Sequence, residues 1–417
     1  MRVIKRCVQI FLSIMISLTA SFSLQAKDQG PLIAYGEKSL IQSKIMGDER
    51  PLQIYLPDSY HMTTKKYPVI YVLDGEFLFE PAVTISKIRA ARNLMPESII
   101  VGLPNTGGAM RMDMGLPMKN TPDAKQVFFE KGRYRQMVNF LETELVPMID
   151  GQYRTAKHRM LVGMSPTAGP VLHSYLQGNN IFSAHVAFAA EVDFYQTDGA
   201  FIADQLAQKA KENQNQQSWL YIGRAKSDMG DKAGRADAFK KLQAEFLSLT
   251  GQAKAVVDIV GQSEHYASAI EGFTGAFSLV YPREIWVPDY KAVQQSDKSA
   301  DMMTAFYENL SEYYGIDTYP IEKGFWLGNS LSGLTRFLLG QGKFDDVLRL
   351  ATWGLTIYPN SYELYYRKAV AHEAKGQLKK AFEAVQKSYD RSVAQKGAFT
   401  AFLKQERARL KQAAAKQ

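Results

Sequence analysis

The chain has 417 residues, 46% of them apolar, and a formal net charge of +8. That length and apolar content suit one sizeable core with a smaller appendage and exclude a disordered chain, while a mild excess of scattered cations argues against a nucleic-acid binder. The single cysteine, Cys7, stands in the first few residues, so disulfides, thiolate chemistry and cysteine metal sites are excluded from the rest of the chain.

Residues 1–26 read as a secretory signal peptide. Arg2, Lys5 and Arg6 precede an apolar run from Cys7 to Ala20, and Leu24-Gln25-Ala26 supplies a cleavage site. The run is shorter than the roughly 18 residues that spanning a bilayer requires. The expectation is a secreted protein, periplasmic where the source has two membranes, with no stable membrane insertion after cleavage.

From 27 to 288 the pattern alternates between strand-like and helix-like segments. Apolar runs at 52–56, 68–73, 98–102, 160–163, 185–188, 219–222 and 255–259 lack period-two polarity, as strands buried on both faces do. Between them, 134–149, 168–177, 200–212, 233–249 and 267–280 carry helical spacing. This predicts an α/β domain with a mostly parallel sheet covered by helices on both faces. Residues 289–324 read as a helical linker, and 325–417 as a small all-α region containing a repeat. Gly342-Lys-Phe-Asp-Asp-Val347 aligns with Gly376-Gln-Leu-Lys-Lys-Ala381 at a spacing of 34, a tetratricopeptide-like period. Two such units cannot bury both of their faces, so they are expected to pack on helices at 302–314 and 326–339 and to offer a surface to a protein partner.

The chemistry centres on Gly163-Met164-Ser165-Pro166-Thr167-Ala168-Gly169, which lies between a strand-like and a helix-like run. This is the place and pattern of the nucleophile elbow of the α/β-hydrolase fold, where a serine occupies a sharp, strained turn at the top of the sheet. The usual fifth residue of G-x-S-x-G is glycine, and here it is Thr167. The residue after the serine normally donates a backbone N–H to the oxyanion, and Pro166 has none. In this fold the chain order is serine, acid, histidine. His265 follows the last strand and is the expected base. Asp228, in the loop after 219–222, is the expected acid, with Asp231 second and Glu264 a further candidate; Asp193 and Glu191 are weaker. Backbone N–H groups of Gly75 and Glu76 are the expected oxyanion donors, with the Thr167 hydroxyl as a substitute for the missing amide. The loop at 105–126, with Met110, Met112, Met114 and Met118, is the expected lid or acyl pocket. No metal or phosphate-binding motif occurs, and no cofactor is implied. The competing reading is a catalytically degenerate hydrolase that binds partners through its cleft or repeats.

Several stretches resemble the esterase family that includes esterase D and the siderophore trilactone esterases. They are Arg50-Pro-Leu-Gln-Ile-Tyr-Leu-Pro57, Tyr67-Pro-Val-Ile-Tyr-Val-Leu-Asp-Gly75, Pro96-Glu-Ser-Ile-Ile-Val-Gly102 and Phe140-Leu-Glu-Thr-Glu-Leu-Val-Pro-Met-Ile-Asp150, the last running on to Ser165. The resemblance implies a serine hydrolase of small-molecule carboxylic or thiol esters, with Ser165 matching the nucleophile, His265 the base and Asp228 the acid. The chain departs from the family's G-H-S-x-G-G at Met164, Pro166, Thr167 and Ala168. The family's Arg-Asp pair after the third strand has a loose counterpart in Arg111-Met-Asp113.

Overall fold

The structure, a computed structural model, describes residues 35–116, 132–178, 181–190, 192, 196–197, 200–213, 216–229, 235–249, 254–260, 264–324 and 329–416. The signal-peptide segment, Met118 and the rest of 117–126, and Glu191, Asp193 and Asp231 lie outside them. Among the described residues, no helix is long and apolar enough to cross a membrane.

Among the described residues there are ten strands: β1 (Glu37–Gln42), β2 (Glu49–Tyr55), β3 (Tyr67–Leu73), β4 (Ile99–Leu103), β5 (Thr155–Met164), β6 (Ala184–Phe188), β7 (Gln196–Thr197), β8 (Ala200–Phe201), β9 (Trp219–Ala225) and β10 (Lys254–Val260). Eight form one sheet in the order β1-β2-β4-β3-β5-β6-β9-β10, and β7 and β8 form a small separate ribbon. β2 runs antiparallel to both β1 and β4, whereas all pairings from β4 through β10 are parallel. The mostly parallel α/β sheet expected from the sequence is therefore the observed one. Its apolar runs are continuous because the central strands are covered on both sides: in β3, Val69, Tyr71 and Leu73 enter one core cluster, while Ile70 and Val72 enter the other.

Two elements had no clear sequence signal. β1 is an edge strand with a mostly exposed face. The helix Gly75–Ala91 buries one stripe, with Leu78, Phe79, Ala82, Val83, Ser86 and Ala90, but it carries Pro81 in its interior and apolar Phe77 and Ile88 off that stripe, which blurs the helical period in the sequence.

The stretch read as a linker is core. It contains the helices Tyr290–Gln295 and Ser299–Tyr314, whose Tyr290, Val293, Met303, Tyr307, Leu310 and Tyr314 share a cluster with β3, β5, β6 and the helix Ala267–Val280. Leu331–Gly340, Phe344–Ile357 and Tyr362–Ala374 continue the same cluster. Leu378–Ala394 and Thr400–Ala414 then build a smaller one of their own with Tyr362 and Ala369. The helical layer closes over the amino-terminal edge of the sheet. There Tyr314 stacks on Trp219 at 5.8 Å and donates from its hydroxyl to the Val280 carbonyl at 2.7 Å.

Candidate active site

In a parallel sheet the strand ends point to one edge, and the loops leaving that edge converge. β3 ends at Asp74, β4 leads to Asn105, β5 ends at Ser165, β9 runs into the turn Lys226–Met229 that holds Asp228, and His265 follows β10. These five loops bring residues far apart in sequence to one rim.

Ser165 takes φ +56°, the left-handed region that a serine occupies only when its surroundings impose it. The turn Ser165–Thr167 then leads directly into the helix Ala168–Gln177. Gly163 is required here, because a Cβ at that position would lie 2.2 Å from the Thr167 carbonyl oxygen. Pro166 fits its place as the second residue of that tight turn.

His265 Nδ1 lies 2.9 Å from Asp228 Oδ2, with side-chain exposures of 34% and 19%. A proton on Nδ1 donated to the carboxylate leaves Nε2 free to accept. The loop carrying Asp228 is anchored by buried Arg224, whose Nη2 donates to the Asp228 carbonyl at 2.8 Å. Glu264 Oε1 accepts from the Ala267 N–H, the first of the following helix, at 2.7 Å. A chain of contacts runs from His265 towards the elbow and ends on the Met164 carbonyl, one residue before Ser165. The His265 ring meets Tyr266 edge-on at 5.0 Å, Tyr266 meets Phe77 at 5.9 Å, the Arg111 guanidinium lies 5.6 Å over Phe77, and Arg111 Nη2 donates to the Met164 carbonyl at 3.3 Å.

Gly75 and Glu76 open the helix Gly75–Ala91, where the first N–H groups have no intrahelical acceptor. The Glu76 carboxylate accepts from the Asn105 backbone N–H at 3.0 Å and from its Nδ2 at 2.7 Å. Thr167 is fully buried, and its Oγ1 is committed to Met164 and Asp74. It therefore faces the loop interior and has no free proton for an oxyanion, contrary to the sequence expectation.

Asp74 and Arg111 are the residues that sequence reasoning undervalued. Asp74 is fully buried with φ +54°, and its two oxygens take Arg111 Nε at 2.8 Å and Nη2 at 3.0 Å. Burial pushes the Asp74 carboxyl above its ordinary value against the pull of Arg111, Thr167 and Asn105. Burial also opposes the Arg111 charge, but the bidentate pairing outweighs it and raises the guanidinium, so the pair is ionised. Arg111 Nη1 carries two further N–H groups and makes no hydrogen bond among the described residues. The loose Arg-Asp match had joined Arg111 to Asp113, whereas Asp113 pairs with Arg133 and Arg111 with Asp74, 37 residues earlier. Among the described residues no group of three metal-ligating side chains occurs.

The family profile described as Putative esterase matches residues 43–272. Among solved structures, an IroE-like serine hydrolase from Shewanella oneidensis aligns at a TM-score of 0.56 and 18% identity, over 82% of this chain and 99% of that one. An uncharacterised protein from Capnocytophaga ochracea aligns at 0.56 and 17%, over 90% of this chain and 99% of its own. Both alignments reach beyond the sheet into the appended helices, so those helices belong to a shared architecture. No curated protein sequence matches.

Proposed function

Because the chain belongs to the Putative esterase family, we propose that it is a serine hydrolase of carboxylic esters, with Ser165 as nucleophile, His265 as base and Asp228 as the acid that orients it. The observation that carries this reading is the 2.9 Å pairing of His265 Nδ1 with Asp228, on the rim that also holds Ser165 at φ +56°. Ser165 Oγ attacks the ester carbonyl carbon while His265 Nε2 takes its proton, and the imidazolium is stabilised by Asp228. The tetrahedral intermediate collapses as His265 returns the proton to the departing alkoxide. Water then repeats the sequence on the acyl-enzyme and releases the acid.

The oxyanion needs donors that Pro166 does not supply. The free Nη1 of Arg111 and the N–H groups of Gly75 and Glu76 take that part. A guanidinium is a stronger donor to a developing negative charge than a neutral amide, which favours the hydrolase over the degenerate scaffold. We further propose that residues 1–26 direct export and that the ester is met outside the cytoplasm. The test is hydrolysis of 4-nitrophenyl esters by the chain lacking residues 1–26, combined with fluorophosphonate labelling and mass spectrometry of the Ser165 peptide. Turnover and labelling that vanish in Ser165→Ala are expected; turnover that survives it overturns the reading.

A further inference from the structure

We propose that Thr167 is a positioning residue whose hydroxyl ties the nucleophile elbow to Asp74 and thereby holds the Arg111 guanidinium beside Ser165. The inference rests on the serine-hydrolase reading and concerns the elbow position where a hydroxyl-bearing side chain replaces the usual glycine.

Thr167 Oγ1 lies 2.7 Å from Asp74 Oδ2, accepts from the Met164 N–H at 2.8 Å, and stands 3.0 Å from the Met164 carbonyl oxygen. A hydroxyl has one proton to give, and the shorter, charge-assisted contact to the carboxylate takes it. The Met164 carbonyl then receives its donor from Arg111 Nη2 at 3.3 Å, and the same Nη2 donates to Asp74 Oδ2 at 3.0 Å. The contacts close into a ring that runs from the Met164 N–H through Thr167, Asp74 and Arg111 back to the Met164 carbonyl. It encircles the residue just before the nucleophile, and Asn105 Nδ2 braces it from outside at 2.6 Å from Asp74 Oδ1.

Two strained residues depend on that ring. Asp74 at φ +54° and Ser165 at φ +56° are held in the left-handed region and persist only where neighbours over-determine them. Thr167 touches the frameworks of both. A glycine at 167 has no atom with which to join them, whereas serine keeps the hydroxyl. Without it, the buried Met164 N–H loses its acceptor, and Asp74 loses one of the donors that keep it charged in a dry site. A neutral Asp74 no longer holds Arg111 in register with the cleft.

The test compares Thr167→Val, nearly isosteric and lacking the hydroxyl, with Thr167→Ser and Ser165→Ala in the chain lacking residues 1–26, using 4-nitrophenyl butyrate. In Thr167→Val, kcat is expected to fall on the order of 10²-fold, the loss typical of a misplaced oxyanion donor, with KM little changed. The acid limb of its kcat profile moves to higher pH as Asp74 protonates more readily. Thr167→Ser recovers most of the loss. A Thr167→Val protein with Ser165-dependent turnover, wild-type kcat and an unmoved pH profile overturns the inference and leaves the hydrolase reading intact. Turnover indifferent to Ser165→Ala overturns the hydrolase reading instead. Crystal structures of both Thr167 variants decide the positioning claim without any assay: Arg111 is expected to leave the Met164 carbonyl in Thr167→Val and to stay in Thr167→Ser, and an unmoved Arg111 in Thr167→Val overturns the claim.

Discussion

At the carboxyl edge of the sheet, Asp74, Ser165 and Ala189 follow β3, β5 and β6 with φ values of +54°, +56° and +49°, and the side chains of Asp74, Arg111 and Thr167 form a charged, linked cluster. At the amino edge, His158 near the start of β5 is surrounded by Trp219, Tyr281 and Tyr314 at ring distances of 5.5, 5.7 and 5.6 Å. Its Nδ1 meets Ser183 Oγ at 3.0 Å, its buried Nε2 makes no hydrogen bond among the described residues, and burial pushes its pKa down to about 4. One edge keeps charge by pairing it, and the other removes charge by drying it. The difference separates the work of the two edges. Strain and ionised pairs gather where chemistry is proposed, while aromatic packing and the neutral His158 lie where the appended helices lock onto the sheet.

Mutations should divide along the same line. The largest effect belongs to the carboxyl edge: Ser165→Ala or His265→Ala is expected to lower ester turnover on the order of 10⁴-fold or more with an unchanged melting temperature. Arg111→Ala should follow, costing on the order of 10²–10³ in kcat. Arg111→Lys should not restore it, because an ammonium cannot hold both Asp74 oxygens and still present a free donor. Wild-type kcat in Arg111→Ala would move the oxyanion function back to the Gly75 and Glu76 amides alone.

The amino edge should answer in stability. Tyr314→Ala removes the ring that stacks on Trp219 and meets Trp286 edge-on at 5.2 Å, and is expected to cost about 3–5 kcal/mol in urea unfolding. The turnover of the folded fraction should remain. The smallest effect is graded with pH. His158 and His185 are held neutral by burial, with pKa values lowered to about 4 and about 3. The unfolded chain binds their protons below about pH 6.5, whereas the folded chain does not. Their contribution is therefore present above pH 6.5 and is lost as pH falls towards 4, at up to about 1.4 kcal/mol per pH unit for each histidine. The urea midpoint of His158→Gln should fall less steeply than wild type between pH 6.5 and 4.5. Equal slopes would mean that the buried imidazole does not set acid stability.

Much of this was legible in the residues. The continuous apolar runs placed β3, β4, β6 and β9 within a few residues, because burial on both faces leaves a purely local mark. The sharp turn at Ser165 was legible from its glycine and its position between strand and helix, while the roles of Ser165 and His265 are proposals. The helix Gly75–Ala91 was not, since apolar Phe77 and Ile88 off its buried stripe blur the periodicity and Pro81 argues against a helix. The role of 289–324 was hidden for a related reason: a polar, irregular stretch says nothing about the aromatic faces of Tyr307 and Tyr314 until Asn93 and Trp219 meet them. Asn93 Nδ2 reaches the Tyr307 hydroxyl at 3.3 Å from 214 residues earlier.

The sequence by itself determined the α/β alternation and the place of the sharp turn at Ser165, both properties of neighbouring residues and of direction along the chain. Only the tertiary structure decided that Thr167 faces Asp74 across 93 residues, that Arg111 takes Asp74 rather than Asp113, and that Glu264 takes the Ala267 N–H while Asp228 takes the imidazole. Those choices depend on where parallel strands end and which loops they bring together. A carboxylate's partner is set by distance and burial, and neither is written in the spacing of residues.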